Sequence, residues 1–134
     1  MATKLSAHFT VEECRCKHCG KCEVTPELLR LAESVRHYLG DRPMITKRHS
    51  VYRCKEHNAT IKGASPHSQH VLGRAMDFHI DGLTPWTIYV RLREGSKRGQ
   101  LPLLHGLGVY DWGVHIDCRD KPGLTTWDSR TRKD

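Results

Sequence analysis

Apolar residues along this chain form two helical stripes and a few short alternating runs. Leu28, Leu31, Ala32, Val35 and Leu39 repeat at the spacing of one helix face. Thr25 precedes them as a cap, Pro26 takes the first helical position, and Gly40 is a natural stop. The spacing predicts a helix over 25–40 with its stripe in a core. Thr84-Pro85 repeats the start signal, and Trp86, Tyr89, Val90 and Leu92 predict a second helix that ends before Gly95. Thr10, with Glu13 three residues later, reads as a capping box on a short helical start. From Arg74 the pattern changes to period two. Ala75, Asp77 and His79 point one way and Met76, Phe78 and Ile80 the other, which predicts a half-buried strand. Residues 106–110 and 114–118 alternate likewise, with Asp111-Trp112-Gly113 as the hairpin turn. A further strand is expected over 43–50, entered through Met44 and Ile45, and a short helix over 53–61 ending at Gly63. After Arg119 the chain shows little pattern beyond Trp127, so the basic tail 120–134 carries no expected element. The elements together predict a single α+β domain over 1–134, a small antiparallel sheet with packed helices.

Composition narrows the function classes. The chain has 134 residues, 28% charged and 37% hydrophobic, which suits one globular domain with a real core. No apolar run approaches the length of a membrane span, and residues 1–9 hold no apolar signal-peptide core. The expectation is a monomer made in the cytoplasm that reaches its place of action by release or delivery. The net charge is +7, from 22 Lys and Arg against 15 Asp and Glu, with ten histidines besides. Such a surface is drawn to polyanions. Its basic residues are scattered, however, and no basic helix interleaved with aromatics offers a nucleic-acid groove, so nucleic acid is not the expected partner.

Six cysteines are many for a chain of this length. Cys14, Cys16, Cys19 and Cys22 cluster within the segment 14–22, together with His18, while Cys54 and Cys118 stand alone. The cluster could hold a structural zinc ion. Its overlapping spacings, which share Cys19, are unusual for a zinc knuckle, whose second ligand pair comes from a distant segment. Cys54 or Cys118 could be that distant partner. Disulfides or free thiols are the rival reading, and both stay open.

A second concentration of chemistry lies at 68–77, Ser-Gln-His-Val-Leu-Gly-Arg-Ala-Met-Asp. His70 and Asp77 are good metal ligands, with small Gly73 and Ala75 between them. Farther on, His115 and Asp117 share one face of an extended strand. His70, Asp77 and His115 would form a two-histidine, one-carboxylate set, which on zinc leaves a fourth position open, as catalytic sites do. Hydrolysis also needs a carboxylate for proton transfer. Asp117, on the ligand's face, is the first candidate, and Asp111 in the turn is the second. His79 lies on Asp77's face and His57 and His67 flank the site in sequence. A supporting or surface role is expected of these three.

These motifs resemble the zinc D-Ala-D-Ala carboxypeptidase and L-Ala-D-Glu endopeptidase family. Its members cut peptidoglycan stem peptides, and many are bacteriophage lysins or prophage proteins. The pattern Ser-x-His-x-x-Gly-x-Ala-x-Asp is met by Ser68, His70, Gly73, Ala75 and Asp77. Gly-x-Gly-x-Tyr followed by His-x-Asp is met by Gly106, Gly108, Tyr110, His115 and Asp117. An upstream Ser-Gly-Tyr-Arg followed by Asn is met by Ser50, Tyr52, Arg53 and Asn58, with Val51 where glycine is usual. The resemblance covers roughly residues 8–119. It implies a fold like that of these peptidases and of the Hedgehog signalling domain, and zinc on His70, Asp77 and His115. It also implies Arg53 on a substrate carboxylate, with Ser68 and Tyr110 beside the substrate. In some relatives an acidic residue stands three positions before the last histidine; here that position is Trp112. Two rival functions follow from the same residues. One is a non-catalytic zinc module on this scaffold, and the other is a basic zinc-ribbon-like nucleic-acid binder built on the cysteines.

Overall fold

Thr25 and Thr84 cap the two long helices as their positions before proline predict. The Thr25 hydroxyl accepts the Leu28 N–H at 3.2 Å and the Thr84 hydroxyl accepts the Thr87 N–H at 3.1 Å. In this computed structural model, which describes residues 3–47, 50–62, 64–65 and 67–132, the elements run in a simple order. They are α1 (Val11–Cys14), α2 (Pro26–Tyr38), α3 (Lys55–Asn58), β1 (Ala75–Phe78), α4 (Pro85–Lys97), β2 (Gly106–Val109), β3 (Val114–Asp117) and β4 (Thr125–Asp128). Thr10 and Glu13 form the full capping box of α1. At the end of α2 the Asp41 N–H returns to the Arg36 carbonyl at 2.9 Å and Gly40 takes φ +89°, so the helix stops at the expected glycine. Among the described residues no helix is long and apolar enough to cross a membrane.

The strands form one sheet in the order β1-β3-β2-β4. β1 and β2 both pair antiparallel with β3, and β4 lies parallel to β2. The architecture is α+β as expected, with a fourth strand that the sequence pattern did not announce. Residues 125–128, Thr-Thr-Trp-Asp, carry one large apolar side chain, so no period-two signal exists there.

The pleat divides the sheet's side chains between two tasks. Met76, Phe78, Leu107, Val109, Val114 and Ile116 join Leu28, Leu31, Val35, Ile88 and Leu92 of α2 and α4 in one buried core. Asp77, His115, Asp117 and Trp127 alternate with them and belong to the opposite face. Glycines stand at the matching positions of β2, and their absent side chains are what the face needs. A Cβ on Gly106 would lie 2.2 Å from the Asp117 carboxylate, and one on Gly108 would lie 2.3 Å from the Trp127 indole.

Three expected elements differ from the structure. Of the strand expected over 43–50, the described residues 43–47 and 50 form no strand. They run along the outer edge of β1 and touch it through the Ile45–His79 bridge and the Asp77 N–H to Ser50 carbonyl bond of 2.7 Å. Residues 48 and 49 lie outside the described residues. The helix expected over 53–61 is the single turn α3, and its expected stop, Gly63, is also outside them. Gly95 does not end α4, which continues to Lys97. It is buried, and a Cβ there would meet the Tyr38 ring at 2.7 Å, so it serves the close approach of α4 to α2.

Gly108→Ala tests the division of the faces. The added methyl must displace Trp127, and overpacking of this kind costs about 1–3 kcal/mol. The urea midpoint is expected to fall accordingly, and an unchanged midpoint would show that Trp127 is not held against β2.

Candidate metal centre and cleft

Strand register brings the candidate ligands together. Asp77 of β1 stands directly across from His115 of β3, and Gly108 of β2 flanks His115 on its other side. The Asp77 carboxylate meets His115 Nδ1 at 2.8 Å through one oxygen and His70 Nε2 at 3.0 Å through the other. Ligand atoms of His70, Asp77 and His115 all lie within 4.8 Å of one another. His70 comes from the loop before β1. There Gly73, at φ +70°, lets the chain pass the Glu23 carbonyl so closely that a Cβ would be 1.9 Å from its oxygen.

Each histidine is oriented from behind, as metal-ligating imidazoles are. His70 Nδ1 donates to the Val51 carbonyl at 2.8 Å, which leaves Nε2 facing Asp77. His115 Nε2 donates to Asp117 at 2.7 Å, which leaves Nδ1 facing Asp77. Both histidines are buried. The donor set, two imidazole nitrogens and a carboxylate oxygen converging on one point, fits zinc with an open fourth position. Val51, where the family pattern has glycine, does not disturb this. Its carbonyl does the orienting while its side chain joins the main core.

Charge in the cluster is tightly balanced. Burial alone would raise the Asp77 pKa, but the charges and hydrogen bonds of His70 and His115 outweigh it and hold the carboxyl well below its usual range. For Asp117 burial is likewise outweighed, by Arg119 first and then His115. Burial would lower the His115 pKa, yet hydrogen bonds to Asp117 and Asp77 lift it to about 9.

The two proposed proton-transfer carboxylates are placed differently from that expectation. Asp117 is fully buried and has all its acceptor sites filled. One oxygen takes the Arg119 N–H and Nε–H at 3.1 and 2.9 Å, and the other takes His115 Nε2 and Arg119 Nη2, each at 2.7 Å. A carboxylate has about four such lone-pair sites, so none is left for a water. Asp111 is exposed and accepts from Thr131 N–H and hydroxyl at 3.0 and 2.9 Å, outside the cleft lining.

A cleft of about 610 Å³ opens over the cluster, and its walls include Arg53, Ser68, Tyr110, Trp112, Arg119 and Trp127. The Arg53 Nη2 donates to the Ser68 hydroxyl at 3.1 Å, and its buried Nε has no partner among the described residues. The Tyr110 hydroxyl accepts Trp127 Nε1 at 2.8 Å, so its own proton is available to a guest. Burial pushes its pKa up, which keeps it a donor. His67 lines the cleft, whereas His79 pairs with Asp81 at 3.6 Å and His57 stacks on His18 beside the cysteines. Sequence reasoning missed Arg119, which both fills Asp117 and lies over the Trp127 ring at 5.3 Å. The only signal was its position two residues after Asp117 on the strand's exit.

All six cysteines are free thiols. The expected foursome of Cys14, Cys16, Cys19 and Cys22 is not one group. Cys14 is in the main core, where burial pushes its thiol up to about 12, and Cys22 packs at that core's edge. Cys16 and Cys19 instead converge with Cys54.

A family model described as Peptidase M15 matches residues 7–117, most of the chain. Neither a curated protein nor a solved structure matches it.

The balance of charges predicts how the metal-free protein responds to pH. His115 is raised above its ordinary 6.5, so its contribution to stability is full below 6.5 and is lost as pH rises through about 9. Asp77 and Asp117 are lowered from their ordinary 3.8, so theirs is full above 3.8 and is lost as pH falls through the lower folded values. Chelated protein is therefore expected to melt highest between 3.8 and 6.5. Zinc must displace the His115 Nδ1 proton, so zinc affinity is expected to rise with pH up to about 9. Melting curves and zinc titrations across pH check both, and flat profiles would overturn the charge assignment.

Proposed function

Because the chain belongs to the M15 peptidases, a family of zinc metallopeptidases, we propose that it hydrolyses a peptide bond in peptidoglycan stem peptides. The observation that carries the reading is the shared cleft. The converged His70, Asp77 and His115 lie at its floor, and Arg53 stands on its wall with a buried donor still unpaired. A guanidinium fork suits a carboxylate, and stem peptides present one both at a D-Ala terminus and on D-Glu. Either D-Ala-D-Ala or L-Ala-D-Glu cleavage is compatible with that anchor. The +7 charge supports approach to an anionic wall, and a phage or prophage lysis protein is the biological role we assign.

When bound at His70, Asp77 and His115, zinc supplies a Lewis acid that lowers the pKa of water and polarises a carbonyl. The chain's own residues do the rest. Ser68 holds Arg53 in place and also accepts the His70 N–H at 3.2 Å, so substrate anchor and metal ligand share one hydroxyl. The Tyr110 O–H points a donor toward negative charge developing on the scissile carbonyl. Asp117 acts as a positioning residue. It fixes the His115 tautomer that leaves Nδ1 for the ion, rather than taking a proton from water.

Three results test this. Muropeptide mass spectrometry after incubation with purified wall is expected to show new termini that disappear with chelator and in His70→Ala. Full activity in His70→Ala would sink the reading. Arg53→Ala is expected to lower kcat/KM by about 10- to 100-fold, the worth of a charged hydrogen bond, mostly through KM. Asp117→Asn is expected to weaken zinc by roughly 10- to 100-fold, with activity recovered at excess zinc. Lost activity at unchanged zinc affinity would instead make Asp117 the proton acceptor.

A further inference from the structure

The Sγ atoms of Cys16, Cys19 and Cys54 lie within 4.8 Å of one another, apart from the cleft. Two distant pieces of chain make this cluster. Cys16 and Cys19 belong to the turn after α1, closed by the Gly20 N–H to Cys16 carbonyl bond of 2.8 Å with Gly20 at φ +80°. Cys54 is the N-cap of α3. Here the distant partner that a zinc knuckle requires is supplied by a single residue far along the chain.

Backbone N–H groups favour thiolate at Cys16, while at Cys54 the His57 N–H is outweighed by burial and the neighbouring Cys16, which push the thiol up to about 11. The Cys54 N–H donates to Cys16 Sγ at 3.5 Å, and the His57 N–H donates to Cys54 Sγ at 3.4 Å. Cys16 and Cys54 are both buried, with Tyr52 and Val24 packed against them. Burial would raise the Cys16 thiol, but N–H groups of Cys54, Cys19 and His18 outweigh it and bring it to about 7. His18, between Cys16 and Cys19 in sequence, stacks on His57 at 5.8 Å between ring centres.

We propose that Cys16, Cys19 and Cys54 bind a second, structural zinc ion. Sulfurs at ~2.3 Å from a shared tetrahedral zinc stand roughly 3.8 Å apart, so the cluster needs only a small contraction. A disulfide would use two of the three sulfurs and leave the third without a partner. Three thiolates select zinc over the harder magnesium or calcium.

The ion would staple the turn after α1 to the residue that follows Arg53. The Tyr52 N–H to Cys14 carbonyl bond of 3.1 Å already joins the same two segments. The second site thus sets the backbone from which Arg53 reaches the cleft, and this consequence rests on the substrate role proposed for Arg53. The ion itself does not.

Metal content of the full chain, purified under reducing conditions, tests the proposal. Two zinc equivalents are expected in the wild type, and one each in Cys19→Ser and His70→Ala. In cobalt-substituted protein, sulfur-to-cobalt charge-transfer bands in the near ultraviolet are expected in the wild type and in His70→Ala, and not in Cys19→Ser. The histidine–aspartate site cannot produce those bands, so the two sites fail or succeed separately. The wild-type spectrum answers the question even where a variant does not fold. A single equivalent lost with His70→Ala, or no charge-transfer band, would each overturn the inference.

Discussion

The Asp77 carboxylate is the interaction around which the site is built. It is held between His70 and His115, and the His115 ring is held in turn against Asp117, which Arg119 grips through three donors. Burying one unpaired carboxylate would be very unfavourable, but here two carboxylates face an imidazolium and a guanidinium with near-complete hydrogen bonding. The chain is therefore preorganised without metal. Zinc would enter between Asp77 and the two rings, replacing the His115 Nδ1 and His70 Nε2 contacts to Asp77 while the bonds behind the rings, to Asp117 and the Val51 carbonyl, are kept. Arg119 is what makes this work. Without it, Asp117 would carry an unmatched charge and would compete for the proton that Nε2 must keep.

A second constraint comes from the pleat. A four-stranded sheet of four-residue strands has few positions to offer, and this one gives alternate positions wholly to the core or wholly to the site. The charged face fits because β2 contributes glycine where neighbours contribute Asp117 and Trp127. Gly106 and Gly108 are thus steric vacancies filled by functional side chains, not turn residues. This explains how a half-buried hairpin can hold a histidine and an aspartate while all eight positions of β2 and β3 stay buried.

Much of this was legible in the sequence because it rests on local spacing. Caps before proline and period-two runs depend on residues close in sequence, and the structure places them as read, while His70, Asp77 and His115 come from a loop and two different strands and lie within reach of one another. What was not legible depends on partners. Asp117 shares the ligand's strand face, which favoured it as a base, but only the fold shows Arg119 and His115 filling its lone pairs. Gly95 looks like a helix stop until Tyr38 is seen against it. The β4 strand has no alternation of its own and exists because β2 offers it an edge. The four clustered cysteines look like one site, yet α1 turns Cys14 into the core and sends Cys16 and Cys19 toward Cys54.

The two halves of the site are held by different means, and this difference accounts for the rest of the architecture. Asp77 and His115 are fixed by sheet register, which a one-residue slip would destroy along with the core. His70, Ser68 and Arg53 come from the stretch between 50 and 74, where α3 is the only regular element among the described residues, so that register cannot position them. Their anchors are individual bonds. The Ser50 carbonyl takes the Asp77 N–H, the Val51 carbonyl takes His70 Nδ1, the Arg53 N–H meets the His70 carbonyl at 3.3 Å, and Asn58 Nδ2 holds the Ser65 carbonyl at 2.8 Å. Each of these bonds ties the irregular stretch either to β1 or to itself, while the Tyr52 N–H and hydroxyl, the Gly73 carbonyl on Thr25 and the Cys54 corner tie it to the N-terminal segment. A segment that carries both a proposed metal ligand and the proposed substrate anchor needs rigidity that its own secondary structure does not provide. The cysteine corner beside Arg53 is where the fold has the residues to supply it.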